Sequence, residues 1–257
     1  MSGLPSEPED YARALLNKFS LSRVDDLFGL ASKIGLEIRE VEPEGFEGAV
    51  VRKPNRPVGI IALKKDIREP GRRRFTIAHE IGHYILPNHG TQEYCSSTYI
   101  ESASSQVPAL ERDANYFASE LLMPASQIYG IVKRELASIA TAKKVAMAYQ
   151  VSLTAAAIKC VALTDERCAL VQTTSGKIDW VYRGSTFGYF INKAQGLHPR
   201  SPACKLFEAT DERELSESTV PSFWIEDISP DSKDAVWEDS IYLPYYNRVI
   251  TILTITS

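Results

Sequence analysis

The segment His79-Glu80-Ile81-Gly82-His83 constrains this chain more than any other feature, because its H-E-x-x-H pattern carries chemistry only on a helix. Positions i and i+4 share one helical face, so both imidazoles reach the same ion. In such a pattern Glu80 is the acid/base that handles the proton of an attacking water. The chain has four histidines in all, and two of them at this spacing outweigh the bland reading of an incidental helical pair. The flanks agree with a helix. From Arg72 to Leu86 the residues Phe75, Ala78, Ile81, Gly82 and Ile85 fall on one side.

A catalytic zinc keeps three protein ligands and one open position, so a third ligand must come from elsewhere. His89 lies six residues past His83 with nothing to fix its direction, and His198 falls in a different part of the chain. Glu111 is the better candidate, at the start of a second strong helix over 109–122 (ALERDANYFASELL). Four residues on, Asn115 shares its face and can hold the far nitrogen of a ligand histidine, which fixes tautomer and ring orientation. Asp113 is the rival acid. It lies about 200° around the helix from Glu111, so only one of the two can face the ion. Spacing favours Glu111 and leaves Asp113 open.

The stretch RRRFTIAHEIGHYIL followed by ERDANYFASELLMP resembles the ImmA/IrrE family of zinc metallopeptidases. That family pairs an R-F-T-x-A-H-E-x-G-H helix with a later E-x-x-A-N-x-F-A-x-x-L-L-M-P helix. The likeness is detailed over residues 47–124 and a matter of pattern over 1–46 and 125–163. It implies a zincin-like fold, with His79, His83 and Glu111 as zinc ligands and Glu80 as the catalytic acid/base; the ligand types themselves leave Mn²⁺ open beside Zn²⁺. Asn115 falls where related two-His-one-Glu peptidases carry an Asp or Asn beside the ligand. The resemblance also implies a protein substrate, a helix-turn-helix repressor of the xenobiotic-response-element (XRE) type. Its cleavage would derepress stress-response or mobile-element genes. Two other classes stand against this endopeptidase: a stoichiometric regulator with a structural metal, and the toxin-like half of a two-gene module.

The remaining chain sets the frame. The 257 residues carry 29 basic and 33 acidic side chains, a net charge of −4, which argues against non-specific binding to nucleic acid or an anionic membrane. No stretch approaches 18 consecutive apolar residues, and the acidic start MSGLPSEPED has no apolar core of a secretory signal. Four cysteines, at 95, 160, 168 and 204, form no close pair, as expected of reduced thiols in a cytoplasm. The expected fold class is α+β: a metallopeptidase domain over 1–124, a helical, helix-turn-helix-like subdomain over 125–163, and a β-rich unit over 164–257.

Within that frame, helices are expected over 8–17 and 22–34, the second with Ser22 as N-cap and Gly35 past its end. Strands are expected at 36–41, 47–52 and 58–63, the last two joined by a hairpin-like Pro-Asn-Arg-Pro run. A polar stretch over 88–107 reads as a loop. The segment VGIIAL (58–63) is either an edge strand that pairs with substrate or a central core strand. Cys95 offers a thiolate for the fourth zinc position, although an unremarkable loop thiol is favoured. Tyr84, Tyr94, Tyr99 and Tyr116 are candidates for stabilising the oxyanion. Arg72-Arg73-Arg74 reads as a solvated face or a set of partners for acids rather than a nucleic-acid patch. The pair over 139–160 has helix-turn-helix cadence. Its second helix presents Leu153, Ala155, Ala156 and Ala157, which favours packing over direct DNA binding. In the last part, CALVQTT, KIDWVYR, SFWIEDI and RVITILTIT read as strands. Some members of the resembling family end in a sensory GAF-like domain, for which the 93 residues of 165–257 are short; their role stays open.

Overall fold

The computed structural model describes residues 6–42, 44–52, 58–89, 92–95 (as backbone), 108–209, 213–226, 228–229 and 232–256. By contact the chain divides into two compact units, 1–127 with 146–155, and 128–145 with 156–257. The fold class is α+β, with eight helices and two sheets among the described residues.

The first unit begins with α1 (Pro8–Lys18), started by Pro8 and by a reciprocal capping box between Glu7 and Asp10. The next helix, α2 (Leu27–Lys33), is shorter than its apolar pattern suggests. Asp26, not Ser22, caps it by accepting from the Gly29 N–H. Three strands follow, β1 (Leu36–Val41), β2 (Gly48–Val51) and β3 (Gly59–Lys64), and then the long helix α3 (Pro70–Ile85). Pro70 opens α3, and Pro87 closes it by holding Leu86 in extended backbone.

Strand β4 (Gln92–Cys95) lies inside the stretch expected as a loop. The sheet order is β1-β3-β2-β4. Strand β1 runs parallel to β3, while β2 is antiparallel to both β3 and β4. This corrects the edge reading of VGIIAL: β3 is internal, bonded to β1 and β2, and β4 is the edge beside β2.

Helix α4 (Ala109–Leu122) packs along α3 and against α1. Gly82 permits the close approach, since a Cβ there would stand 3.1 Å from Phe117 Cδ1 and 3.4 Å from the Ala114 backbone. Arg13 of α1 pairs with the buried Glu120 of α4 at 3.1 Å, and Glu120 also accepts from the Ala125 N–H. The buried carboxylate is thus bonded from both sides, as burial requires. The three consecutive arginines are engaged internally. Arg72 pairs with Glu47, Arg73 with Glu40, and Arg74 bonds the carbonyls of Val24 and Asp25.

Three short helices follow: α5 (Ala125–Val132), α6 (Ile139–Tyr149) and α7 (Leu153–Leu163). Helices α6 and α7 meet at 116° across Gln150, which takes a left-handed φ of 53°. On α7, Ala156, Ala157, Lys159, Cys160 and Val161 are buried, as suits a packing helix. Among the described residues no single helix is long and apolar enough to cross a membrane.

The second unit is built on a five-stranded antiparallel sheet. Its strands are β5 (Cys168–Thr174), β6 (Lys177–Arg183), β7 (Glu214–Thr219), β8 (Ala235–Leu243) and β9 (Arg248–Thr256), in the order β6-β5-β9-β8-β7. One face carries a core of Val171, Phe187, Leu206, Trp224, Val236 and Leu253, with helix α8 (Pro202–Glu208) packed on β8. On the other face Leu170, Ile250 and Ile252 are also fully buried, and the Ile139 N–H at the start of α6 donates to Asp239 at 2.7 Å. The described residues of SFWIEDI form no strand. Its Pro221–Phe223 stretch is a single 3₁₀ turn that drives Trp224 and Ile225 into the core.

Candidate metal centre

The second half of α3 is enclosed on every side. Thr76 through His83 are all buried, His79, Glu80 and His83 at 0% exposure. Burying three ionisable groups on one helix is costly unless each is engaged. The engagement is specific. His79 and His83 face each other through their Nε2 atoms, 3.0 Å apart. Glu111, on the first turn of α4, brings its carboxylate oxygens to 3.2 Å from His79 Nε2 and 3.5 Å from His83 Nε2. One ligand atom from each of the three lies within 4.8 Å of the others.

The far side of each imidazole is occupied too. Asn115, one turn past Glu111, accepts from the His79 Nδ1–H at 2.9 Å. That bond leaves the His79 Nε2 as a bare lone pair directed at the cluster. The His83 Nδ1 lies 2.7 Å from His89 Nδ1. Burial pushes the Glu111 carboxyl up, but hydrogen bonds and charge from His79 and His83 outweigh it and hold the group at about 2. An ionised carboxylate and two imidazole nitrogens converging on one point form a donor set that can hold a metal ion. It is the N/O set of catalytic zinc sites, with two His and one Glu. The residues fit the group.

The Glu80 side chain reaches the sheet. A Cβ on Gly48 of β2 would stand 2.6 Å from Glu80 Oε1 and 2.7 Å from Thr76 Cγ2. The carboxylate therefore rests where this strand has no side chain.

The other sequence candidates separate. Asp113 is half-buried and outside the cluster, whereas His198 stacks on Phe223 in the second unit, centroids 3.8 Å apart. Tyr84 packs over Gly59 with the Arg52 guanidinium 4.4 Å above its ring; Tyr116 is 46% exposed. Tyr99 and the side chains of Tyr94 and Cys95 lie outside the described residues. His89, set aside as a third ligand, lies outside the triad, but its ring meets the far side of His83, a contact the sequence reading did not anticipate. Its signal was Pro87-Asn88, a helix stop followed by an asparagine at φ 66°, which turns the chain back over α3.

The family profile described as the IrrE N-terminal-like domain, a peptidase family, matches residues 31–161. That is just over half of the chain, and the chain belongs to this family. Among solved structures a Mycobacterium tuberculosis transcriptional regulator is similar, with a TM-score of 0.51 and 13% identity, over 97% of this chain and 82% of its own. A likeness at that identity is one of fold. Comparison with curated proteins gives no match.

Proposed function

We propose that this protein is a zinc-dependent endopeptidase that cuts a regulatory protein. The carrying observation is the convergence of His79 Nε2, His83 Nε2 and the Glu111 carboxylate on one buried point, with Glu80 adjacent in sequence. The chemistry is assigned to residues 1–124. When bound there, zinc supplies Lewis acidity to the scissile carbonyl and acidifies a water toward neutral pH. Glu80 takes the proton of the attacking water and delivers it to the leaving amine nitrogen. His79, His83 and Glu111 hold the ion, and Asn115 keeps the His79 ring in register. The edge strand β4, bonded on one side to β2, offers backbone groups to an extended substrate.

Family membership supports a substrate of the XRE repressor type and a role in stress-response or mobile-element control. The described cysteines 160, 168 and 204 are free thiols, in keeping with a cytoplasmic setting. Incubation of the protein with a candidate XRE repressor and Zn²⁺ or Mn²⁺, read by intact mass, tests the proposal. The expected result is a single cut by wild type and none by Glu80→Gln. An uncut repressor pool from zinc-loaded wild type, or equal cutting by Glu80→Gln, would overturn it.

A further inference from the structure

We propose that His89 is a positioning residue that holds the Nδ1–H of the ligand His83, completing a pair with Asn115. The inference rests on reading His79, His83 and Glu111 as a metal site. A neutral imidazole that ligates through Nε2 carries its proton on Nδ1, and a buried N–H needs an acceptor. His79 finds one in Asn115 Oδ1 at 2.9 Å. His83 finds one in His89 Nδ1 at 2.7 Å, the two rings 4.8 Å apart and tilted by 59°. The bond assigns the tautomers. His83 donates from Nδ1, His89 accepts at Nδ1, and the His89 proton sits on Nε2.

The backbone is arranged to deliver this contact. Helix α3 ends at Ile85, Leu86 is extended ahead of Pro87, and Asn88 takes a left-handed φ of 66°. That reversal carries His89 back to the far side of the His83 ring. In the metzincin pattern H-E-x-x-H-x-x-G-x-x-H, the third histidine stands six residues past the second and joins the ligand set. The spacing of 79, 83 and 89 is the same, but Leu86 occupies the glycine position. Here Glu111 faces the two Nε2 atoms, and His89 lies behind the ligand, one bond further from the ion.

Zinc affinity of the purified full chain, measured with Zn²⁺ alone against a competing chromophoric chelator, tests the assignment without any peptide substrate. His89→Leu keeps apolar volume and removes the acceptor; it should weaken zinc binding about 10- to 100-fold. His89→Asn places an amide oxygen where Nδ1 stood, the arrangement His79 already has. It should bind at least about ten-fold more tightly than His89→Leu, at the lower end of what such outer hydrogen bonds contribute. Equal affinity of both variants, whether near wild type or equally weakened, would overturn the assignment, since packing alone does not distinguish an acceptor. Wild type that binds no zinc would overturn both this inference and the metal-site reading. Tight wild-type binding, abolished by His83→Ala and untouched by His89→Leu, would overturn the His89 role alone.

Discussion

On the proposed function, Glu80 carries catalysis while its helix neighbours His79 and His83 hold the metal, and Gly48 of β2 lies against the Glu80 carboxylate. Glu80→Gln keeps the shape and removes the proton acceptor. Cleavage should fall about 10²- to 10⁴-fold, the usual worth of a positioned acid/base, while zinc affinity stays within about three-fold of wild type, because the ligand triad and its outer partners are intact. Parallel metal titration and cleavage assays check both numbers. Gly48→Ala acts on the same group from the opposite strand. The new Cβ would meet Glu80 Oε1 at 2.6 Å and Thr76 Cγ2 at 2.7 Å, and of the two the carboxylate, as the far end of a flexible chain, gives way more readily. Cleavage should drop about ten-fold or more with zinc binding preserved, a misplacement loss of the kind small shifts of catalytic groups produce. Unchanged turnover in Gly48→Ala would show that the seat does not hold the carboxylate. Of these residues, the grouping of His79, His83 and Glu111 was legible from spacing and resemblance, and Glu80 was a candidate from its place in the motif. Gly48 was not, because its role is defined by what a side chain would strike across the fold. His89 was dismissed for want of a direction, which a left-handed Asn88 supplies.

The helices of the first unit were legible because their apolar residues recur at helical spacing and Pro8, Pro70, Pro87 and Pro124 punctuate them. Helix α6 spans 139–149 as its pattern predicts. Strands were read where β-branched residues cluster, as in β5 and β9, and missed where they do not. Strand β7 (ELSEST) alternates without large apolar residues, β8 (AVWEDSIYL) carries two acids mid-strand, and β4 is four residues long. Such strands exist by pairing with neighbours rather than by their own propensity. The position of β3 matters most for function. Ile61 is 0% exposed and lies between Ile38 of β1 and Val50 of β2, so a proline there removes a ladder hydrogen bond and wedges the sheet. Ile61→Pro should cost about 3 kcal/mol or more and remove zinc binding and cleavage together, as read by melting temperature and metal titration. Selective loss of cleavage with zinc affinity intact would restore the edge-strand role to β3.

The molecule's response to pH should be dominated in its second unit by one buried acid. Glu238 on β8 is 0% exposed and accepts from the Ala203 N–H at 2.8 Å and the Trp224 indole N–H at 2.7 Å. Burial raises its carboxyl to about 7; the two donors and Lys205 pull the other way, and Glu217 adds to the rise. A folded-state value above the ordinary 4.5 means that the folded chain binds this proton more tightly than the unfolded chain. The stabilisation is therefore complete below about pH 4.5, falls as pH rises toward 7, and is gone above it. At about 1.4 kcal/mol for each pH unit between the two values, the swing is roughly 3 kcal/mol. All three tryptophans, Trp180, Trp224 and Trp237, belong to this unit, and Trp224 touches the acid itself, so denaturant unfolding followed by indole fluorescence reads the effect directly. Glu238→Gln isolates it from carboxylates of opposite sign, such as Asp234, which Tyr189 and Arg167 hold below the usual range. The variant should be less stable at pH 5 by about 1–3 kcal/mol, since a glutamine offers one acceptor to two donors. Between pH 5 and 7 it should also lose the downward slope that wild type shows. A wild-type stability that rises over that interval, or a slope kept in the variant, would mean that the proton sits elsewhere.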